Sequence, residues 1–164
     1  MIISQSAEYA LRAAVLLSRA EGAPMTAQQL AESSRIPPDY LSKILQALRK
    51  AGIVTSQRGV NGGFVLAKEP RRTTVLEVVN ALDPIERILS CPLKLTEHGT
   101  KLCPLHRKLD DAIATVEKAF GGTSLAQLSP ADIPGADVCR QLVPADSPAP
   151  GRATKARKSA KVGP

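Results

Sequence analysis

The stretch PPDYLSKILQALRKAGIV, residues 37–54, determines the fold together with RGVNGGF at residues 58–64. In the first stretch, large aliphatic side chains recur three and four residues apart and form one apolar helical face: Leu41, Ile44, Leu45 and Leu48. Pro38 suits the first helical turn, and Gly52 is a typical stop signal. The pattern predicts a helix over residues 38–51 whose other side is polar and basic.

The flanking segments predict a shorter helix before this one and a β-hairpin after it. Thr26 and Gln29 form a capping box at the start of the shorter helix. Two short helices, the second with a basic free face, are typical of a helix-turn-helix. The β-prone runs 54–57 and 64–67 flank Asn61-Gly62, a dipeptide that strongly favours a hairpin. A hairpin in this place is the wing of a winged helix.

Further helices are predicted on both sides of this core. Residues 4–20 form the first, capped by Ser6, and a capping box of Thr74 with Glu77 opens another. Residues 104–120 form a long helix with an apolar seam, typical of a dimerisation element, and a short helix follows at 123–128. The predicted fold is mainly α with a small β-hairpin: a winged helix-turn-helix domain, a long C-terminal dimerisation helix and a disordered tail.

The composition of the 164 residues separates a folded domain from a tail. Lys and Arg number 22 against 15 Asp and Glu, a net charge of +7, but residues 145–164 alone hold five basic residues and one acid. That segment has a single large aliphatic side chain and cannot bury enough apolar surface to offset its ordering entropy. We expect a DNA-binding and dimerisation domain over residues 1–130, with a cysteine loop at 90–103, and a Pro-rich, basic, disordered tail over 131–164.

The sequence also disfavours several classes of protein. Its longest uninterrupted apolar run, residues 13–17, is far shorter than the roughly 20 residues of a membrane span. The opening stretch carries Glu8 and Arg12 within its apolar part, unlike a secretory signal. Three cysteines, an odd number, favour reduced thiols, so we expect a cytoplasmic protein. No motif resembles a nucleophile–base pair or paired catalytic carboxylates, so we expect that the protein is not an enzyme.

The winged helix and the positive charge predict binding to double-stranded DNA. The candidate contacts are Tyr40, Ser42, Lys43 and Gln46, early on the third helix, and Arg58 and Asn61 at the wing. The alternative is a solvated helix face beside an ordinary hairpin, because winged helices also mediate contacts between proteins. Salt-insensitive behaviour and a lack of affinity for duplex DNA would indicate that alternative.

A second candidate site lies in the segment before the long helix. Residues 91–106 contain Cys91, Glu97, His98, Cys103 and His106. Thiolate and imidazole are ligands for zinc or iron–sulfur clusters, although this spacing is not that of a zinc finger. The alternative is a pair of reduced thiols with two surface histidines. Glu8 and Arg12, four residues apart on the first helix, are typical of a surface ion pair.

The order of these motifs resembles one known family. SAEYALRAAVLL, PPDYLSKILQALRKAGIV, RGVNGGF and TVLEVVNAL, followed by a cysteine loop and a long helix, are similar to the winged-helix regulators that include the iron–sulfur cluster regulator IscR and the nitric-oxide-sensing repressor NsrR. The resemblance covers residues 1–130. It implies a homodimeric transcription factor, here a repressor, whose third helix reads the major groove of a palindromic operator and whose wing reaches the minor groove.

The resemblance also implies roles for individual residues. Thr26 and Gln28 would contact phosphates, and Gly62 would join Arg58 and Asn61 in the wing contact. Cluster-binding members place three cysteines in the loop, whereas this chain has Glu97 at the middle position. A redox-responsive cluster, 2Fe–2S rather than 4Fe–4S, would be held by Cys91, Cys103 and His106, with Glu97 or the partner subunit's Glu8 as fourth ligand. A regulator without a cluster, which senses thiol oxidation or a small ligand, is the alternative.

Overall fold

The computed structural model describes residues 3–59, 61–91 and 102–128. The predicted tail at 131–164, most of the cysteine loop, Glu97 and His98 lie outside the described residues. The described residues form five α-helices: α1 (Gln5–Arg19), α2 (Ala27–Ser34), α3 (Pro38–Lys50), α4 (Val75–Asn80) and α5 (Pro104–Gly121). Strands β1 (Val54–Gln57) and β2 (Gly63–Leu66) form the hairpin, and short 3-10 helices lie at Pro70–Arg72 and Leu125–Leu128. This mainly helical architecture confirms the predicted fold class.

Helix α1 lies at the centre of the core, in contact with α2, α3 and α4. Its buried face is rich in alanine, which allows neighbouring helices to approach closely: Ala7, Ala10, Ala13, Ala14, Leu16 and Leu17. The predicted cap at Ser6 is wrong. Ser4 caps the helix instead, because it has the extended backbone of a capping residue and its Oγ accepts the Ala7 N–H at 3.2 Å. Ser6 already lies inside the helix.

The helix-turn-helix follows the predicted pattern closely. In the capping box of α2, Thr26 Oγ1 accepts the Gln29 N–H at 3.2 Å and Gln29 Oε1 accepts the Thr26 N–H at 2.9 Å. Helix α2 ends at Arg35, whose left-handed backbone (φ 54°) turns the chain toward α3. The predicted apolar face of α3 is buried, and the helix ends at Lys50, one residue before its predicted limit.

The wing is an antiparallel hairpin in which Val54 pairs with Leu66 and Gln57 with Gly63. Its loop is longer than a two-residue Asn-Gly turn, because pairing stops at Gln57 and Gly63. Gly59 has φ +114°, a conformation that favours glycine, and the Gly62 N–H returns to Gly59 O at 2.9 Å. Backbone bonds between Phe64 and Met25, at 2.8 and 3.1 Å, join the hairpin to the residue before the α2 cap.

The C-terminal part of the described chain returns to the core at α4. The predicted capping box is present, since Thr74 Oγ1 accepts the Glu77 N–H at 3.1 Å and Glu77 Oε2 accepts the Thr74 N–H at 2.7 Å. Beyond α5, backbone bonds of 2.9 Å join Val75 to Thr123 and Leu125 to Thr73. The segment predicted as a helix at 123–128 is therefore a bridge to residue 74 followed by a 3-10 turn.

Helix α5 is amphipathic but has no buried residue in the single chain. Leu105 and Leu109, in its predicted seam, are 64% and 47% exposed. None of the helices in the described ranges is long and apolar enough to cross a membrane.

Candidate DNA-binding surface and cysteine–histidine site

The candidate DNA contacts lie on the exposed side of α3 and on the wing. The four predicted contacts on α3 are all exposed: Tyr40, Ser42, Lys43 and Gln46. Arg58 and Asn61 at the wing are also exposed. Within the described ranges, neither Lys43 nor Arg58 is in an ion pair. Both cations are therefore available to phosphates.

The pairing of Met25 with Phe64 places the chain just before α2 beside β2 of the wing. Of the predicted phosphate contacts, Thr26 follows Met25 directly and Gln28 lies in the first turn of α2. The Thr26 hydroxyl accepts a helix N–H, which leaves its own proton free to donate. Gln28 Nε2 donates to Glu32 Oε1 at 3.0 Å, so DNA would compete with this side chain–side chain bond.

The Ser42 hydroxyl is already engaged within α3. It donates to Pro38 O at 3.0 Å, which occupies its single proton. Phosphate oxygens accept hydrogen bonds, so Ser42 can meet a phosphate only by releasing this bond. In its present state, it can accept a hydrogen bond from a base amino group.

A connected set of side chains links α1 to the helix-turn-helix. The Arg12 guanidinium pairs with Glu8, lies 5.5 Å from the centre of the Tyr9 ring, and donates to Ser34 O at 3.4 Å. The ring of Tyr9 in turn meets that of Tyr40 on α3. The predicted surface ion pair is therefore present, but its two side chains are only 28% and 34% exposed and belong to a larger set of contacts.

The second site brings together Cys91, Cys103 and His106. Cys103 immediately precedes α5 and His106 lies in its first turn, so the spacing of three residues places the two side chains together. The distance from Cys103 Sγ to His106 Nδ1 is 3.2 Å. Cys91 arrives from the irregular segment after α4, and its Sγ lies 4.0 Å from the same nitrogen. Cys91 is buried and Cys103 is half-buried.

These three residues share one contact point rather than surrounding an ion. Both sulfurs approach a single ring nitrogen, and among the residues that the structure describes no three Cys, His, Asp or Glu side chains form a metal-binding group as they stand. Glu8 of the same chain is bound to Arg12, while Glu97 lies outside the described residues. The donor types match those of zinc and iron–sulfur sites, but the described set supplies three ligands at most.

Two charged residues near this site were missed by the sequence reasoning. Asp110 on α5 accepts the Nε–H of Arg87 at 2.7 Å and its Nη2–H at 2.6 Å. These hydrogen bonds hold the pKa of Asp110 below its usual range, aided by the Ile88 N–H, and raise the pKa of Arg87. The two residues are 23 positions apart with no periodic pattern between them, so no sequence signal pairs them.

Comparison with known proteins identifies the family. The model of the Rrf2 family, described as an iron-dependent transcriptional regulator, matches residues 3–131. The chain belongs to the Rrf2 family. Rrf2 proteins are transcriptional regulators, which confirms the predicted resemblance and the expectation that the chain is not an enzyme.

Individual Rrf2 proteins resemble the chain over most of its length. The transcriptional regulator IscR of Xenorhabdus nematophila is 31% identical over 130 residues, which cover 78% of this chain and 79% of that protein. The structure of T. potens IscR has a TM-score of 0.66 and 25% identity, covering 82% of this chain and 93% of that one. The structure of CymR, the global cysteine regulator of B. subtilis, has a TM-score of 0.63 and 28% identity, covering 78% and 95%. The winged helix is thus that of a DNA-binding regulator.

Proposed function

We propose that this Rrf2-family regulator is a homodimeric repressor that binds a palindromic operator in the cytoplasm, and that a redox-responsive iron–sulfur cluster at Cys91, Cys103 and His106 controls its affinity for DNA. The observation that carries the cluster is the convergence of two thiols on one imidazole, 3.2 and 4.0 Å away. Cys91 lies 12 positions before Cys103 in a separate segment, so no local spacing accounts for its approach to His106.

The donor set fits a cluster in chemistry and is incomplete in number. Cysteine thiolates hold iron–sulfur clusters, and histidine replaces cysteine in some 2Fe–2S centres. The fourth ligand we propose is Glu97 or Glu8 of the partner subunit. Nitrogen and oxygen ligands favour 2Fe–2S over 4Fe–4S and a labile centre. When bound, the cluster would supply one-electron redox chemistry, and the role of the chain's own residues is to bind it and respond to its loss.

The position of Cys103 suggests how the response reaches the rest of the protein. Cys103 is the capping residue of α5, and His106 lies in the first turn of the same helix. Ligation would therefore fix the beginning of α5. Because the exposed seam of α5 includes Leu105 and Leu109, we propose that a second copy of this helix covers it in the dimer. Cluster state and dimer geometry would then be linked through one helix.

The DNA contacts in this proposal follow the exposed residues of the winged helix. Side chains of α3 would read the major groove: Tyr40, Ser42, Lys43 and Gln46. Arg58, Asn61 and Gly62 would enter the minor groove, while Thr26 and Gln28 contact phosphates. In a dimer, the two α3 helices would meet half-sites on one face of the duplex, which explains a palindromic operator.

The test is anaerobic purification with assays of iron, acid-labile sulfide and the visible absorption spectrum on the same sample. We expect matched iron and sulfide with visible sulfur-to-iron charge-transfer bands. Cys91→Ala, Cys103→Ala and His106→Ala should lower iron content, and Cys139→Ala serves as the matched cysteine control. A protein that contains no iron and resists reconstitution would contradict the cluster.

A second candidate is a thiol sensor without a cluster. The short contact between Cys103 Sγ and His106 Nδ1 favours it, because reactive cysteines commonly lie beside a histidine. Oxidation by a peroxide would join the sulfurs of Cys91 and Cys103, with loss of two protons and two electrons and reduction of the peroxide to water. Iron-free protein whose DNA affinity changes with peroxide, and is restored by a thiol reductant, would support this candidate.

A further inference from the structure

We infer that Arg87 and Asp110 form a clamp that positions Cys91 against His106, and that they are positioning residues for the cysteine–histidine site. The inference rests on the proposed function, because the clamp has a functional role only if the cysteine–histidine site binds a ligand. Its structural part, the placement of one thiol, can be tested without any metal.

The clamp is a two-pronged hydrogen bond between a guanidinium and a carboxylate. Asp110 uses both oxygens for Arg87, at 2.7 and 2.6 Å, and its Oδ1 also accepts the Ile88 N–H at 2.9 Å. A further contact of 3.6 Å joins Arg87 to Glu117, about two turns further along α5. Such paired bonds impose a geometry that a single point charge does not.

The clamp lies four residues from the ligand site on both segments. Asp110 follows His106 by four residues and shares its side of α5, while Arg87 precedes Cys91 by four residues. Between Arg87 and Cys91 the chain has no regular secondary structure, and Leu89 is 84% exposed. Because that span has so little packing, the paired hydrogen bonds between Arg87 and Asp110 fix its position against α5, and thereby the position of Cys91.

The other two ligands are held independently of the clamp. Cys103 and His106 belong to the start of α5, and the far end of α5 is joined to the core through Thr123 and Leu125. Loss of the clamp should therefore release Cys91 while leaving the other two donors in place. The site would fall from three described ligands to two.

The first test uses cobalt(II) as a probe of thiolate ligation in metal-free protein carrying Cys139→Ser. Asp110→Asn keeps the side-chain shape but loses the negative charge and one of the two acceptor oxygens. Arg87→Lys keeps the positive charge but cannot form the two paired hydrogen bonds. We expect both to weaken the cobalt Kd by about 10- to 100-fold, as loss of outer supporting contacts does at other metal sites. The sulfur-to-cobalt absorption per bound ion should fall to that of Cys91→Ser.

The matched control is Asp111→Asn, one residue along the same helix. Its carboxylate is 60% exposed and makes only a loose contact of 3.8 Å with Lys108 among the described residues. We expect its cobalt affinity and absorption to match the parent protein. Clamp variants with the parent's cobalt affinity and absorption would overturn the inference.

The second test measures the exposure of Cys91 without metal. With Cys103→Ser and Cys139→Ser, Cys91 is the sole thiol, and its buried position should make its reaction with Ellman's reagent slow. Asp110→Asn should raise that rate by about tenfold or more through local opening, whereas Asp111→Asn should not. Equal rates would overturn the clamp. Failure of the parent to bind cobalt or iron would instead contradict the proposed function and leave this test of the clamp intact.

Discussion

The ring of Tyr40 on α3 stands at 83° to the ring of Tyr9 on α1, with their centres 6.4 Å apart. This edge-to-face contact joins α3 to the central helix of the core. Tyr40 is nevertheless 55% exposed. Its ring therefore has a structural role that can be separated from the role of its hydroxyl.

We predict that Tyr40→Phe and Tyr40→Ala affect different properties. Phenylalanine keeps the ring contact, so stability should stay within a few tenths of a kcal/mol while operator affinity falls by about three- to tenfold, the loss of one hydrogen bond. Alanine should also lower the free energy of unfolding by about 0.5–1.5 kcal/mol. Urea unfolding and DNA titration measure the two effects. Full operator affinity in Tyr40→Phe would contradict a DNA contact by the hydroxyl.

Two cations should contribute to the salt dependence of DNA binding. Arg58→Ala should weaken binding and lower the slope of log K against log salt by about 1, as expected for the loss of one phosphate contact. Lys43→Ala should also weaken binding, because Lys43 is a proposed contact in the major groove. Lys118→Ala, on the exposed side of α5, is the control of equal charge change. Binding unaltered in both Lys43→Ala and Arg58→Ala would exclude the assigned DNA contacts.

The wing should not tolerate a side chain at Gly63, which forms the last strand pair before the loop. A Cβ there would lie 2.5 Å from Met25 O, within the pairing that joins the wing to the residue before the α2 cap. Gly63→Ala should therefore cost about 1–3 kcal/mol in unfolding free energy, the usual range for overpacking. At Gly121 a Cβ would meet only Leu76 Cδ2, at 3.4 Å, so Gly121→Ala should leave stability unchanged or slightly raised. Similar losses in both variants would contradict this steric explanation.

The capping box of α4 should make stability depend on pH. The Thr74 N–H, followed by the Lys68 ammonium, holds the pKa of Glu77 below its ordinary value of 4.5. A lowered folded-state pKa gives stabilisation that is present above the unfolded-state pKa and is lost as pH falls through the folded-state value. Unfolding free energy should thus fall more steeply on acidification below about pH 5 in the parent than in Glu77→Gln. Parallel pH profiles for the two proteins would disprove this assignment.

Local sequence patterns were sufficient for much of the fold. The capping boxes at Thr26 and Thr74, the buried face of α3 and the wing follow from short-range rules, and the structure confirms them. The cap of α1 was assigned to Ser6 instead of Ser4, because two serines lie two residues apart and the choice depends on where the backbone becomes extended. The second strand of the wing begins and ends one residue earlier than its predicted range of 64–67, because Gly63 pairs with Gln57.

The candidate site was likewise predictable from the sequence only where its contacts are local. Cys103 and His106 are neighbours through helix geometry, so their contact follows from the sequence once α5 is known to begin at Pro104. The approach of Cys91 and the fork between Arg87 and Asp110 depend on tertiary packing between distant segments. Single-sequence periodicity carries no information on such pairs.

We propose that the state of the cysteine–histidine site controls DNA binding. The direct measurement is the Kd for a duplex selected by the protein from a random library, determined anaerobically on one preparation before and after removal of its cluster. We predict a change of about 5- to 150-fold, the usual size of coupling between two sites, and no such change in Cys103→Ala. Equal affinity in the loaded and the cluster-free protein would contradict control of DNA binding by this site.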